Sequence, residues 1–300
     1  MAGTRKVPTS WKTGLQRVAR GVYAYIQAGG LNVSNAGLIV GDDEALVVDA
    51  LYVRPMTQAF QESIRRATGK PVRKIVCTHH HADHTLGLVW FDRDIPVIAH
   101  RYMRERMLET GLDLAHYRGV NPEYAGELKR LKQRFPDVTF EGGITLRLGK
   151  RVVELHHLGH AHSKGDTIVY LPEERVLFTG DICFHYVTPA TFDAHVGGWI
   201  RIAEKILKTF PVDTVVPGHG PLGDMSALEK TLGYLRLVRR EARKRFKEGV
   251  PPRRAAREIP LGEYADWMKP DRVEQAVMKL YNEFRGKGEQ GISLHDARGG

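Results

Sequence analysis

The segment Thr78-His79-His80-His81-Ala82-Asp83-His84 puts four histidines and a carboxylate into six consecutive residues, directly after the short strand-like run Lys74–Thr78. Neutral imidazoles crowded around a carboxylate lose solvation together, and the cluster destabilises itself unless something binds it. Histidines at i, i+2 and i+5 with an aspartate at i+4 form a convergent donor set of the kind that holds a metal ion. His80 points the other way along an extended chain, so it is left out of the set.

Three later positions repeat the pattern. His162 lies in Gly159-His-Ala-His-Ser-Lys-Gly-Asp166, Asp181 closes Leu177-Phe-Thr-Gly-Asp181, and His219 lies in Val216-Pro-Gly-His-Gly220. Each follows an apolar run that reads as a strand, and strand ends are where open α/β sheets present their ligand sites. The donors are imidazoles and carboxylates with no thiolate among them, which suits zinc and also accommodates iron or manganese.

Around these positions the chain alternates strand-like and helical stretches. Strands are expected at Gly21–Gln27, Ala36–Val40 and Ala45–Asp49, then at Ile144–Leu148, Val152–Leu155, Asp166–Leu171, Arg175–Phe178 and Thr214–Val216. Helices are expected from about Pro55 to Ala67 and near Gly198–Phe210. Val, Ile and Leu-rich strands alternating with amphipathic helices give a layered α/β chain. Residues 101–135 are charged and read as a helical insert between the two halves. The tail from Ser226 onward shows two cap patterns, Ser226-Ala-Leu-Glu229 and Asp271-Arg-Val-Glu274, each ahead of an apolar stripe. Gly249 and Pro251-Pro252 end the first of these helices, and the last fourteen residues or so are expected to be loose.

Charge narrows the partners little. The 45 Lys and Arg exceed the 35 Asp and Glu by ten, and residues 228–300 hold 17 of the first against 11 of the second. Acidic residues are interleaved throughout that tail, so a solvated helix face explains it better than a nucleic-acid surface. No stretch approaches the roughly 20 apolar residues of a membrane span. The N-terminus has early positive charge but no apolar block behind it, so a secretory signal is not expected. Cys77 and Cys183 are too few for a disulfide framework, which leaves a reducing cytoplasm as the expected compartment.

Taken together, the His79-x-His81-x-Asp83-His84 motif, the later His162, the Thr-Gly-Asp181 element and the Pro-Gly-His219-Gly element resemble the metallo-β-lactamase-fold hydrolase superfamily, in the family's order, over residues 20 to 225. The resemblance implies an αββα sandwich over residues 1–225 with a dinuclear metal site at one edge, followed by a helical extension over 226–300 packed on the same domain. It implies that His79, His81 and His162 hold one metal, that Asp83, His84 and His219 hold the other, and that Asp181 bridges them. His162 is chosen over His160 because the family's His-(Ser/Thr)-x-Gly-(Asp/Ser) pattern falls on His162-Ser-Lys-Gly-Asp166. Asp49, ending a Leu-Val-Val-Asp run, looks like the family's outer carboxylate that orients a ligand histidine.

The implied chemistry is hydrolysis of an ester-type bond in a small molecule, whether lactone, thioester, phosphoester or lactam. Two zinc ions create a hydroxide near neutral pH, and Asp83 orients it and moves its proton. Lactam-hydrolysing members generally carry Cys or Ser in place of the bridging carboxylate, so Asp181 favours the other branches. Phe184 stands where lactonases of acylhomoserines present a tyrosine, and His185 and Tyr186 are the nearby candidates for steadying an oxyanion. Tyr102, His116 and Tyr117 in the insert are candidates for a substrate lid, and the tail helices are candidates for a homodimer face. The alternatives are a nuclease of the same fold and an iron-dependent, persulfide-dioxygenase-like redox member.

Overall fold

A computed structural model describes residues 8, 10–29, 33–129, 131–288 and 291–292. The expected loose end of the chain lies largely outside these residues. Among them the strands form two sheets, each laid out in chain order. The first runs β1 (Gly14–Ala19), β2 (Val22–Ile26), β3 (Ala36–Val40), β4 (Ala45–Val48), β5 (Val72–Val76), β6 (Val97–His100) and β7 (Val138–Phe140). It is antiparallel from β1 to β4 and parallel from β4 to β7. The second runs β8 (Gly143–Leu148), β9 (Arg151–His156), β10 (Ile168–Leu171), β11 (Val176–Phe184) and β12 (Thr214–His219), antiparallel until β11 and β12, which are parallel.

The helices are α1 (Arg54–Ala67), the single turn α2 (Ala82–Thr85), α3 (Arg101–Thr110), α4 (Leu114–Val120), α5 (Ala125–Leu128), α6 (Val196–Thr209), α7 (Met225–Lys247), α8 (Pro252–Glu258) and α9 (Val273–Phe284). The layers follow from which faces are apolar. Ile39, Leu46 and Val76 of the first sheet meet Leu155, Val169 and Phe178 of the second in a core between the sheets. Phe60 and Ile64 of α1, with Met103 and Met107 of α3, cover the outer face of the first sheet. Trp199 of α6, Leu228 and Leu235 of α7 and Leu280 of α9 cover the outer face of the second. The chain is therefore an αββα sandwich with a C-terminal helical region. Strands covered on both sides read as unbroken apolar runs, as Ala-Leu-Val-Val in β4 does.

Several sequence expectations are corrected in detail. Strands β1, β6 and β7 were not anticipated. The 101–135 stretch is three short helices with a 3-10 turn at Pro122–Tyr124, and from residue 131 it has no regular structure. Helix α7 is capped by Asp224, whose side chain accepts from Ser226 N, so Ser226 is inside the helix. The Asp271 pattern caps nothing, because a short 3-10 turn at Pro270–Arg272 leads straight into α9 and no side chain caps that end. Asp181 does not end its strand, since β11 continues to Phe184.

That last difference positions the site. The pairing of β11 with β12 shifts register on either side of Gly180, and a bulge of this kind re-aims a strand side chain. Gly180 has φ +50, and a Cβ there would stand 2.6 Å from the Thr78 side chain. A Cβ on Gly218 would stand 2.0 Å from Asp181 Oδ1. Both glycines let the backbone of one segment approach the side chain of another closely enough for Asp181 to reach the histidines.

Candidate metal centre

The histidine cluster leaves β5 on an extended stretch, which carries His79 and His81, and enters the turn α2, which carries Asp83 and His84. His162 comes from the loop between β9 and β10, and His219 is the last residue of β12. The fold brings these segments to one end of the sandwich. There His79, His81, His162 and Asp181 each offer a donor atom, all within 4.8 Å of one another, and Asp83, His84 and His219 form a second such group.

Asp181 reaches both groups. Its Oδ2 lies 3.3 Å from His162 Nε2, 3.3 Å from His219 Nε2 and 3.9 Å from His79 Nε2. Its Oδ1 lies 3.0 Å from His84 Nε2. Asp83 Oδ2 is 3.3 Å from His219 Nε2 and 4.0 Å from His84 Nε2. His81 turns its other nitrogen inward, with Nδ1 at 2.9 Å from His162 Nε2.

Outer partners fix each ring. His84 Nδ1 donates to Asp49 Oδ2 at 2.8 Å. Asp49 also accepts from Thr78 N and Thr78 Oγ1, both at 2.8 Å, and the Thr78 hydroxyl accepts from His79 Nδ1 at 3.1 Å. The carboxylate at residue 49 therefore steers His84 directly and His79 through one hydroxyl. It holds this post from a left-handed backbone (φ 60), a conformation that an aspartate keeps only when its surroundings over-determine it. His162 Nδ1 donates to Ala190 O and His219 Nδ1 to Val33 O, both at 3.1 Å. In each case the outward N–H means that the neutral ring has its lone pair on the inward nitrogen.

The inward atoms are poorly satisfied: His79 Nε2, His84 Nε2 and Asp181 Oδ1 are buried with no well-formed hydrogen bond, the last two only facing each other at 3.0 Å. Leaving a buried donor or acceptor unsatisfied costs roughly 1–3 kcal/mol, more when the group is charged. Three such atoms facing one small space fit cations, which accept every lone pair at once.

Electrostatics divides the groups. Burial, helped by the neighbouring His84, holds His79 well below the usual histidine range, and burial takes His162 down to about 3. Burial also acts against charge on His84 and His219. The carboxylates of Asp181, Asp49 and Asp83 outweigh it at His84, which is held well above its usual range, and those of Asp181 and Asp83 lift His219 to about 9. Burial likewise opposes ionisation of Asp83 and Asp181, but His84 and His219 win, taking Asp83 to about 2 and Asp181 well below the carboxylate range.

The remaining candidates are scattered. His160 is outside both groups and donates from Nε2 to Asp193 O at 2.8 Å. His156 meets Glu154, and His157 stacks on His100 with centroids 3.7 Å apart. His185 Nδ1 donates to Pro221 O at 3.0 Å, and its ring stacks on Tyr186. Lys230 Nζ donates to the Tyr186 hydroxyl at 2.8 Å. Tyr102 packs beside His100 and His157, and His116 lies in the first turn of α4 with its backbone N–H on the capping Asp113. Tyr117 lines a cavity of 160 Å³ together with His80, His81, Arg106 and Asp193.

Asp193 is the residue that sequence reasoning missed. His80 and His81 both donate to it, and so does Arg106. His80 is thus not idle: it turns away from the two groups but shares the carboxylate that His81 uses. Nothing local to Thr191-Phe-Asp193-Ala-His195 announces this, because the partners lie more than 80 residues away along the chain.

Comparison with known proteins bears on the family and the fold. The model of the metallo-beta-lactamase superfamily matches residues 29–219. A metallo-beta-lactamase type 2 from Bacillus sp. (strain 170) is 26% identical over 232 residues, covering 74% of this chain and 82% of that protein. Among solved structures, a metallo-beta-lactamase from Pontibacter korlensis aligns with TM-score 0.63 at 23% identity, over 75% of this chain and 99% of its own. The sec-alkylsulfatase Pisa1 from Pseudomonas sp. aligns with TM-score 0.72 at 17% identity, over 91% of this chain and 50% of its own. Both structural likenesses speak to the fold.

Proposed function

The chain belongs to the metallo-beta-lactamase superfamily, and from that premise we propose that it is a dinuclear, zinc-dependent hydrolase of an ester-type bond in a small molecule, working in the cytoplasm. One observation carries the reading: two buried donor groups converge on Asp181, which lies 3.0–3.9 Å from histidines of both, and His79 Nε2 is buried there without a hydrogen bond. In this reading His79, His81 and His162 hold one ion, Asp83, His84 and His219 hold the other, and Asp181 belongs to both. When bound, such a pair supplies an activated water and a Lewis acid for the oxygen that becomes anionic.

The chain's own groups do the rest. Asp83, held at about 2, is ionised at neutral pH. Its Oδ2 is set against His219 Nε2, so Oδ1 is the oxygen that takes the proton of the attacking water and returns it to the leaving group. Between the two candidates for the oxyanion, Tyr186 is the better donor. Its hydroxyl accepts from Lys230 Nζ and keeps its own proton to give, whereas His185 spends its Nδ1–H on Pro221 O. The buried free thiols Cys77 and Cys183 are consistent with a reducing compartment.

Metal content by elemental analysis, run beside a substrate panel, tests this. The panel holds a lactone, a thioester, a phosphotriester and a phosphodiester, with a cephalosporin and a secondary alkyl sulfate added because of the relatives' names. The expected result is about two zinc per chain and turnover of an acyl or phosphoryl ester. Asp181→Ala should lower that turnover by more than the roughly 100-fold that losing an outer partner costs. One iron per chain with oxygen consumption overturns the reading in favour of redox chemistry.

A further inference from the structure

Asp193 sits in the loop between β11 and α6, nearly buried, with 14% of its side chain exposed. Its Oδ2 accepts from His80 Nε2 and His81 Nε2, each at 3.1 Å, and its Oδ1 accepts from Arg106 Nη2 at 2.9 Å. Its own carbonyl accepts from His160 Nε2 at 2.8 Å. The next residue back, Phe192, lies against the His81 ring with centroids 4.6 Å apart. Asp193 is thus held from three sides while it holds His81.

His81 is the exception among the inward-facing imidazoles. His79, His84, His162 and His219 present Nε2 to the centre, and His81 presents Nδ1. A half-turn of the ring about its Cβ–Cγ bond would remove Nδ1 from the centre at little steric cost, so something must hold the orientation. In the first group, His79 leans on a hydroxyl and His162 on a backbone carbonyl, and only His81 donates directly to a carboxylate. A carboxylate on the far N–H fixes both the tautomer and the ring orientation of a metal-binding histidine.

We infer that Asp193 is the positioning residue of His81: it locks the Nε2–H tautomer and aims Nδ1 at the first of the two proposed ions. The inference rests on the dinuclear reading above for what Nδ1 does, though not for how the ring is held. His80 and Arg106 belong to the same device, since they fix the carboxylate that fixes the ring. Arg106 lies on α3, so the first helix of the 101–135 stretch is mechanically tied to one ion and not to the other. The same three residues, His80, His81 and Asp193, also satisfy the spacing of a metal group. The guanidinium at 2.9 Å already serves there as the cation.

Two measurements on Asp193→Ala and Asp193→Asn decide it. Nitrogen-15 correlation spectra of the metal-stripped protein report the His81 tautomer directly. Wild type should show Nε2–H alone, Asp193→Ala a mixture, and Asp193→Asn, whose amide oxygen still accepts, should restore the wild-type pattern. Retention of zinc against graded EDTA should fall about 10–100-fold for one ion in Asp193→Ala and stay as in wild type for the other, with apoprotein melting unchanged in Asp193→Asn. An unaltered His81 tautomer in Asp193→Ala overturns the inference, as does equal loss of both ions. Wild type that takes up no ion would sink the dinuclear reading, while the tautomer spectrum would still decide the role of Asp193.

Discussion

The group formed by His79, His81 and His162 and the group formed by Asp83, His84 and His219 stand side by side around Asp181, yet His79 and His162 are in the opposite electrical state from His84 and His219. Burial keeps His79 and His162 neutral far below pH 6. The second group has its own carboxylate and lies closer to Asp49, and those negative charges hold protons on His84 and on His219, the latter up to about pH 9. The lone pairs of His79 and His162 are ready. In the second group, protons and metal ions are rival countercharges for the same carboxylates.

The sharpest way to break the contrast is to load the metal-stripped protein at different pH. The raised pKa values of His84 and His219 mean that protons must leave both before an ion binds. Affinity for the second ion should therefore rise steeply with pH, by at least about tenfold for each unit below about pH 9 and so by at least about 100-fold from pH 7 to 9. The first ion should bind with nearly constant affinity between pH 7 and 9. Calorimetry in two buffers of different ionisation enthalpy counts the protons released, and equal counts for the two ions would end the distinction.

Asp49→Asn tests the contrast from outside. The carboxylate touches His84 directly and His79 through Thr78. The expected loss is about 10–100-fold in affinity at the second ion and a smaller loss at the first, read from EDTA competition. Equal losses would show that the Thr78 hydroxyl relays as well as a direct bond does. The smallest effect is expected at Tyr117→Ala, beside the Tyr52 ring in the 101–135 stretch and lining the cavity next to His81. It should change the ranking of substrates by a few-fold and leave two ions per chain. Loss of metal in this variant would remove the lid reading of that stretch.

What the sequence revealed follows the range over which its signals act. His79, His81, Asp83 and His84 are readable because six residues hold them all, and His162, Asp181 and His219 because each is next to a strand with a strong apolar pattern. Asp49 is readable for the same reason at the end of Leu-Val-Val. Asp193 is not, because its partnership with His81 spans 112 residues and has no local pattern. The position of Asp181 within β11 was missed because a register shift is a property of two strands together. At α7 two capping residues, Asp224 and Ser226, stand two positions apart, and it is the Asp224 carboxylate that takes a free N–H of the first turn, that of Ser226.

The loop after β11 also bears on how the molecule is made. Its carbonyl at Ala190 takes His162 and its Asp193 takes His81, but its start is pinned from much later in the chain: Thr188 N donates to Met268 O, and Arg272 Nη1 donates to Thr188 O at 3.0 Å. Chains are synthesised from the N-terminus and fold in that order. Every donor up to His219 thus exists before α7, α8 and α9 have left the ribosome. The donors are all made before the helices that cover the second sheet and fasten the loop, so a chain cut short before α7 would hold every donor and lack what pins Thr188.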